Sequence, residues 1–335
     1  MASQRRETFA FLEDLRLEVR AEDKRTLEHF RAEYGAVRSG PTSAVDLVVT
    51  FARTSPGTLG FEAGYRSLRW RIALEPFAEG PLRATIDLRG MPRSFGLSLL
   101  QGYVVEPLLG LLAPAAGHVL LPAAAVQTEH GALLLIGRSR SGKSSLVART
   151  AASGTAVLGD DHVLVGADAC RSFPRRLRLY PDIAETAAAA RAALPARTRL
   201  SLRALGLLRI ASGGSLAPPV RVSVEALGPM LREPVPLARV IVLERREVPR
   251  LSVEALSGDE LVADAIAVLR DQRRALEQVD DPRWRERLDR ALAEAESLLR
   301  RSFEPVDDLR RLIVPTRLPA KESVSAIAAE LGISG

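Results

Sequence analysis

The chain of 335 residues has one cysteine (Cys170), no asparagine, three lysines (Lys24, Lys143 and Lys321) and only 4% aromatic residues. One cysteine excludes an internal disulfide framework and suits a reducing compartment, so the sequence reads as cytoplasmic. Without asparagine there can be no guanine-reading NKxD motif and no protein-kinase catalytic loop, which requires that residue to hold metal. Long apolar runs are also missing. The most apolar region, 95–126, is interrupted by Gln101, Glu106, Pro107, Pro114 and His118. Such groups are costly in lipid, so no membrane span is expected. The opening MASQRRETFAFLEDLRLEVR mixes both charge signs around no apolar core, unlike a signal peptide. No His/Cys spacing suggests a zinc site.

Charge is plentiful and lopsided in kind. The net charge is +6 and the pI about 10.0, carried almost wholly by arginine. Nucleic acid is the usual partner of so basic a chain. Here, however, the arginines are scattered among 41 acids, aromatics are few and no nucleic-acid motif is present. A nucleic-acid partner is therefore not expected. Hydrophobic residues make up 47%, ample for a packed interior, and the length suggests two domains.

The most informative stretch is 130–165, HGALLLIGRSRSGKSSLVARTAASGTAVLGDDHVLV. Ala132 to Ile136 form an uninterrupted apolar run, the signature of a strand buried on both faces. Gly137, Gly142, Lys143 and Ser144 then spell GxxxxGKS, with a helical pattern in Leu146, Val147, Thr150 and Ala151 and a terminating Gly154. Strand, glycine loop and helix in this order suit a nucleotide's triphosphate: glycines let backbone N–H groups converge, and the helix start adds its positive dipole end. Lys143 supplies a point charge at the β and γ positions, and Ser144, followed by Ser145, offers a hydroxyl to Mg²⁺. A short strand from Thr155 to Leu158 runs into Asp160 and Asp161. Carboxylates there can hold the metal or accept a proton from an attacking hydroxyl. Arg175, Arg176 and Arg178 read equally as a contact for phosphate or acidic substrate and as a solvated strand edge. His118 and His162 stand singly and read as structural.

These residues resemble the catalytic domain of HPr kinase/phosphorylase and the wider HPr-kinase-related proteins. The likeness rests on Gly137, Ser139, Gly142, Lys143 and Ser144 in a GxSxxGKS loop and on Asp160 and Asp161 at the end of the following strand, and it covers 117–180. It implies a fold similar to phosphoenolpyruvate carboxykinase, ATP and Mg²⁺ as cofactors, and phosphoryl transfer to a hydroxyl of a protein, peptide or small molecule. On that pattern Gly137, Ser139, Gly142, Lys143, Ser144 and Ser145 hold the phosphates, Ser144 and Asp161 the metal, and Asp160, aided by Lys143, acts as general base. Sequence alone leaves these two roles exchangeable between Asp160 and Asp161, since adjacent strand residues face opposite ways. The chain departs from the family at Pro122, where a histidine is usual, and at Arg140, where glycine is. The glycine-rich second signature is also missing, so the reverse phosphorolysis is not implied.

The expected architecture is α/β: an α+β N-terminal module over 1–112, a P-loop kinase-like core over 113–250, and a helical C-terminal extension over 251–335 packed on that core. Within the first, residues 4–33 suit one or two amphipathic helices or a strand plus a helix. Alternation marks strands around Val45–Val49, Leu68–Leu74 and Ala84–Leu88, with Trp70 on an apolar face. Leu97–Leu112 reads as a buried helix, Asp182–Leu194 as an alanine-rich helix closed by Pro195, and Ala211–Pro219 as a lid, substrate contact or plain connector. Ala238–Leu243 reads as a strand returning to the central sheet. Leu261–Val279, Asp281–Arg301 and Glu322–Leu331 are expected helices, which could cover the core or bind a second copy of the chain. A nucleotide-sensing module without transfer is the alternative function, and a nucleic-acid-dependent ATPase ranks third.

Overall fold

The computed structural model describes residues 4–40, 44–54, 59–75, 80–138, 141–213 and 219–333. The protein is mixed α/β and divides into two compact units: Met1–Leu120 with Leu269–Leu298, and Leu121–Val268 with Leu299–Gly335.

The first unit is built on a seven-stranded sheet. Its elements are β1 (Arg5–Leu12), β2 (Leu15–Ala21), α1 (Lys24–Tyr34), β3 (Arg38–Ser39), β4 (Leu47–Phe51), β5 (Gly60–Tyr65), β6 (Leu68–Glu75) and β7 (Leu82–Arg89), with strand order β3-β1-β2-β4-β7-β6-β5. The strand option for residues 4–33 holds, but with two strands, β1 and β2, paired antiparallel before the helix. Their charged residues disguise them: Glu7 and Glu18 are buried and ion-paired, Glu7 with Arg31 and Arg38, Glu18 with Arg6 and Arg20. Helix α1 starts where Asp23 accepts hydrogen bonds from the Thr26 backbone N–H at 2.8 Å and its hydroxyl at 2.7 Å. Phe30 and Tyr34 of α1 are fully buried, and Tyr34 meets Phe9 and Phe11 edge-on at 5.6 and 5.1 Å. Trp70 is buried on β6, as its alternation suggests.

Beyond β7, α2 (Arg93–Leu100) continues through one π-turn at Gln101–Val105 into α3 (Glu106–Leu112). Including the 3-10 turn that follows, Arg93–Ala116 is long and apolar enough to cross a membrane by length and composition, and 67% of its most apolar window is buried inside the protein. Glu106 is accommodated there by hydrogen bonds from Tyr34 at 3.0 Å and Gln101 at 2.9 Å.

The chain enters the second unit through β8 (His118–Leu121). There β9 (Ala123–Thr128), β10 (Gly131–Gly137), α4 (Lys143–Ala152) and β11 (Val157–Gly159) are followed by β12 (Val163–Gly166), β13 (Cys170–Ser172) and β14 (Leu177–Leu179). The alanine-rich helix is broken at Ala187 (φ −149°, ψ 70°) into α5 (Ile183–Thr186) and α6 (Ala188–Ala193), and Pro195 precedes a further helix, α7 (Ala196–Ala211). The segment 214–218 of the expected lid or connector lies outside the described residues. Then come β15 (Val220–Val222), β16 (Leu237–Arg246), β17 (Ser252–Ala255), α8 (Gly258–Arg273), α9 (Pro282–Phe303), β18 (Asp308–Pro315) and α10 (Ala320–Leu331). Asp281 caps α9, accepting from the backbone N–H groups of Arg283 at 2.8 Å and Trp284 at 3.1 Å.

Six of these strands form the central sheet of this unit, in the order β11-β9-β10-β16-β18-β17. Strand β16 returns to the central sheet, as expected for 238–243, and lies parallel beside β10, with β18 parallel beside β16. The region from 251, expected to be helical, thus contributes two strands, β17 and β18. One face of the sheet, through Leu133, Leu135, Ile241, Leu243, Leu312 and Val314, shares a core with Leu146, Val147 and Ala151 of α4 and Val324, Ile327 and Ala328 of α10. Leu134, Ile136, Val240 and Val242 on the other face are buried too. Burial on both faces is what the unbroken apolar run of β10 requires.

Candidate functional site

Strand direction decides where the motif residues meet. β9 is antiparallel to both β10 and β11, so β10 and β11 run the same way and deliver their following loops to one edge of the sheet. That edge carries Gly137, Arg138 and Ser141 to Ser144 after β10 and Asp160 and Asp161 after β11. Ligand crevices in open α/β sheets form outside such strand ends.

The loop is shaped by its glycines. Gly142 adopts φ +104°, a conformation natural only to glycine, and directly precedes α4. A Cβ on Gly137 would stand 2.7 Å from the Leu243 carbonyl oxygen of β16, so this strand end must be bare. We expect Gly137→Ala to destabilise the protein by about 1–3 kcal/mol, the usual range for overpacking against fixed structure. Chemical denaturation would show this as a lowered midpoint, and an unchanged midpoint would mean that β16 yields. Ser139 and Arg140 lie outside the described residues.

Helix α4 buries Leu146, Val147, Thr150 and Ala151, the periodic positions seen in the sequence, and ends at Ser153 with Gly154 at φ +89°. Its first residue, Lys143, turns back onto the loop. Nζ donates to the carbonyls of Gly137 and, at 3.0 Å, Arg138, and stands 3.3 Å from Ser141 Oγ. Burial lowers the lysine's pKa, and the negative charges of Asp161 and Asp160 partly oppose that shift. Ser144 and Ser145 are half-buried in the same turn.

Gly159 allows the sharp turn after β11, since a Cβ there would lie 2.2 Å from the His162 carbonyl oxygen. The turn carries Asp160 inward. It is 5% exposed, and neither carboxylate oxygen has a partner of hydrogen-bond geometry among the described residues. Burial, then the neighbouring charge of Asp161, raises its pKa to about 7, against the opposing influence of the Ser144 hydroxyl, Lys143 and Arg175. Asp161 is more open, and its Oδ2 lies 3.2 Å from Arg175 Nη1 and 3.6 Å from Arg178 Nε. Arg175 is itself buried and also donates to His162 Nδ1 at 3.0 Å, while the His162 ring leans on Phe173 with centroids 5.6 Å apart. His162 therefore has a positioning part, holding Arg175 beside Asp161. His118 is engaged with the Ala116 carbonyl at 2.8 Å.

The fold thus brings Lys143, Ser144, Asp160, Asp161 and Arg175 into electrostatic contact. Two neighbours escaped sequence reasoning: Val324 Cγ2 and Ile327 Cδ1 of α10 would lie 3.7 and 3.6 Å from a Cβ on Gly142, backing the loop from far along the sequence. The apolar stripe of α10 was the available signal, but not its destination. No group of three or more His, Cys, Asp or Glu side chains capable of holding a metal occurs among the described residues. What the site does offer is a buried carboxylate with unmet oxygens close to a serine hydroxyl. This donor set suits a hard cation that takes its remaining ligands from phosphate oxygens and water. Searches against protein-family models and curated proteins find no match for the chain.

Proposed function

We propose that this chain is an ATP-dependent kinase of the HPr-kinase-related type, with a core similar to the C-terminal domain of that family, transferring the γ-phosphate to a hydroxyl of a protein, peptide or small molecule. The observation that carries the reading is Asp160: a buried carboxylate after β11, with no partner of good hydrogen-bond geometry among the described residues and its pKa raised to about 7, beside Lys143 and Ser144. A group poised near neutrality can take a proton and give it up again.

In this reading the backbone amides of the loop and of the α4 N-terminus hold the triphosphate. Lys143 exchanges the carbonyls of Gly137 and Arg138 for phosphate oxygens, replacing weak acceptors by charged ones. Asp160 accepts the proton of the acceptor hydroxyl as that oxygen bonds to the γ-phosphorus. The bond from phosphorus to the bridging oxygen breaks, and ADP leaves. Mg²⁺ bound with the nucleotide would neutralise charge on the β- and γ-oxygens. Ser144 and Asp161 are the residues assigned to hold it. Asp161 already has two guanidinium partners and Asp160 has none, so the opposite assignment of the two carboxylates, with Asp160 on the metal, has support of its own.

The test is transfer of label from γ-labelled ATP, with Mg²⁺, into acceptors of a cytoplasmic extract. Wild type is expected to label an acceptor that Asp160→Ala leaves unlabelled. Equal labelling by both would remove Asp160 from the chemistry. Tight nucleotide binding with no transfer and no ADP release would instead favour the sensing module.

A further inference from the structure

We propose that the first unit carries a binding site for a small organic oxyanion, a phosphate or carboxylate on a compact apolar body, in a cavity of about 430 Å³ formed by the end of α8 and the first half of α9. The site is independent of the kinase reading. Its lining combines three arginines, Arg270, Arg273 and Arg285, with two acids, Glu277 and Asp289, and the apolar side chains of Leu288 and Leu292. The balance is one net positive charge, and the two leucines supply an apolar wall.

Arg273 is the most buried charged group of this lining. It is 4% exposed, yet among the described residues it makes one hydrogen bond, from Nη2 to the Gly110 carbonyl at 2.7 Å. Nε and Nη1 are buried with no acceptor among the described residues, and no carboxylate there lies within ion-pairing distance. Burial lowers its pKa to about 10. A purely structural cap on Gly110 would need one N–H, whereas an uncompensated guanidinium at the wall of a cavity is a strong liability unless an anion meets it. Arg270, at the exposed rim, has no ion pair among the described residues either, while Arg285 is held by Asp280 at 2.5 Å. Arg270 at the rim thus remains for a ligand, and Arg273 supplies uncompensated positive charge in the wall behind it. An oxyanion answers both charges, and Leu288 and Leu292 favour an apolar body over a bare ion.

The experiment uses the full chain carrying Lys143→Ala, so that the glycine loop does not contribute, with phenyl phosphate and benzoate titrated separately by calorimetry at fixed ionic strength. Saturable binding of at least one probe is expected, and the stronger of the two identifies the oxyanion. Adding Arg273→Met should weaken that binding at least about tenfold, the loss expected when an uncompensated charge beside the ligand is removed. Arg270→Gln, at an exposed position where folding is not at stake, should weaken it several-fold. No saturable heat with either probe, or unchanged affinity in both variants, would overturn the proposal. Should Arg273→Met fail to fold, unchanged affinity in Arg270→Gln alone would overturn it.

Discussion

Asp160→Asn is expected to lower phosphoryl transfer by about a thousandfold, within the range supplied by general bases, while making the protein more resistant to heat above pH 7. The two effects have one cause. Asparagine cannot accept the acceptor's proton, but neither can it ionise in a buried site. Because the folded pKa is raised from 3.8 to about 7, the fold retains a proton that the unfolded chain releases. That contribution to stability is fully present below about pH 4 and is lost as pH rises through about 7. Each tenfold change in proton affinity is worth about 1.4 kcal/mol, which bounds the penalty in the wild type at about 4 kcal/mol. The advantage of Asp160→Asn in melting temperature should therefore open between pH 4 and 7 and stay level above. Loss of attraction to Lys143 and Arg175 will trim it. As the proposed general base, Asp160 must be ionised to accept a proton, so wild-type activity should fall as pH drops through about 7. A variant with normal turnover, or one less stable than wild type at pH 8, contradicts this account.

Lys143→Ala is the second large effect. Its ammonium is the side-chain cation that folds back onto the glycine loop at the start of α4, and its bonds to the Gly137 and Arg138 carbonyls are of the kind that phosphate oxygens displace. A hydrogen bond to a charged group contributes about 1.5–3 kcal/mol, so MgATP affinity should fall by about 10- to 100-fold. Lys143→Arg should not restore it, because a planar fork does not fit where a compact point charge stood. Calorimetric titration distinguishes the outcomes, and equal affinity in Lys143→Ala and wild type would place the phosphates elsewhere.

How much of this was legible depended on distance along the chain. The loop, the start of α4, its glycine terminus and the turn into Asp160 are set by contacts among near neighbours, and the residue pattern displays them. β16 was also readable, as an apolar run too short for a helix. β18 was not. DLRRLIVP keeps Asp308, Arg310 and Arg311 among its apolar residues and sits between charged helical stretches, and its strand state is set by pairing with β16, more than sixty residues earlier. The same holds for β1 and β2, where Glu7 and Glu18 look solvated in sequence but are neutralised by arginines in the fold. α7 escaped notice because it has no apolar side to read: Leu200, Leu207 and Ile210 are exposed, and among its residues only Leu202 is buried.

At the site, sequence showed which residue types were present but not which charges would be met. Asp160 and Asp161 are adjacent and chemically equal in the sequence. Gly159 separates them physically by forcing a tight turn that buries the first and leaves the second to Arg175 and Arg178. The division of the chain into two discontinuous units was equally hidden, because it depends on α8 and α9 carrying the chain from one to the other and back.

The most direct test is a crystal structure with Mg²⁺ and a non-hydrolysable ATP analogue. The account predicts the γ-phosphate on the glycine loop with Lys143 Nζ about 3 Å from a phosphate oxygen, and the Asp160 carboxylate facing the γ-phosphorus within reach of one bridging hydroxyl or water. A nucleotide bound away from the loop, or on it with Asp160 still buried and turned from the phosphate, would contradict it.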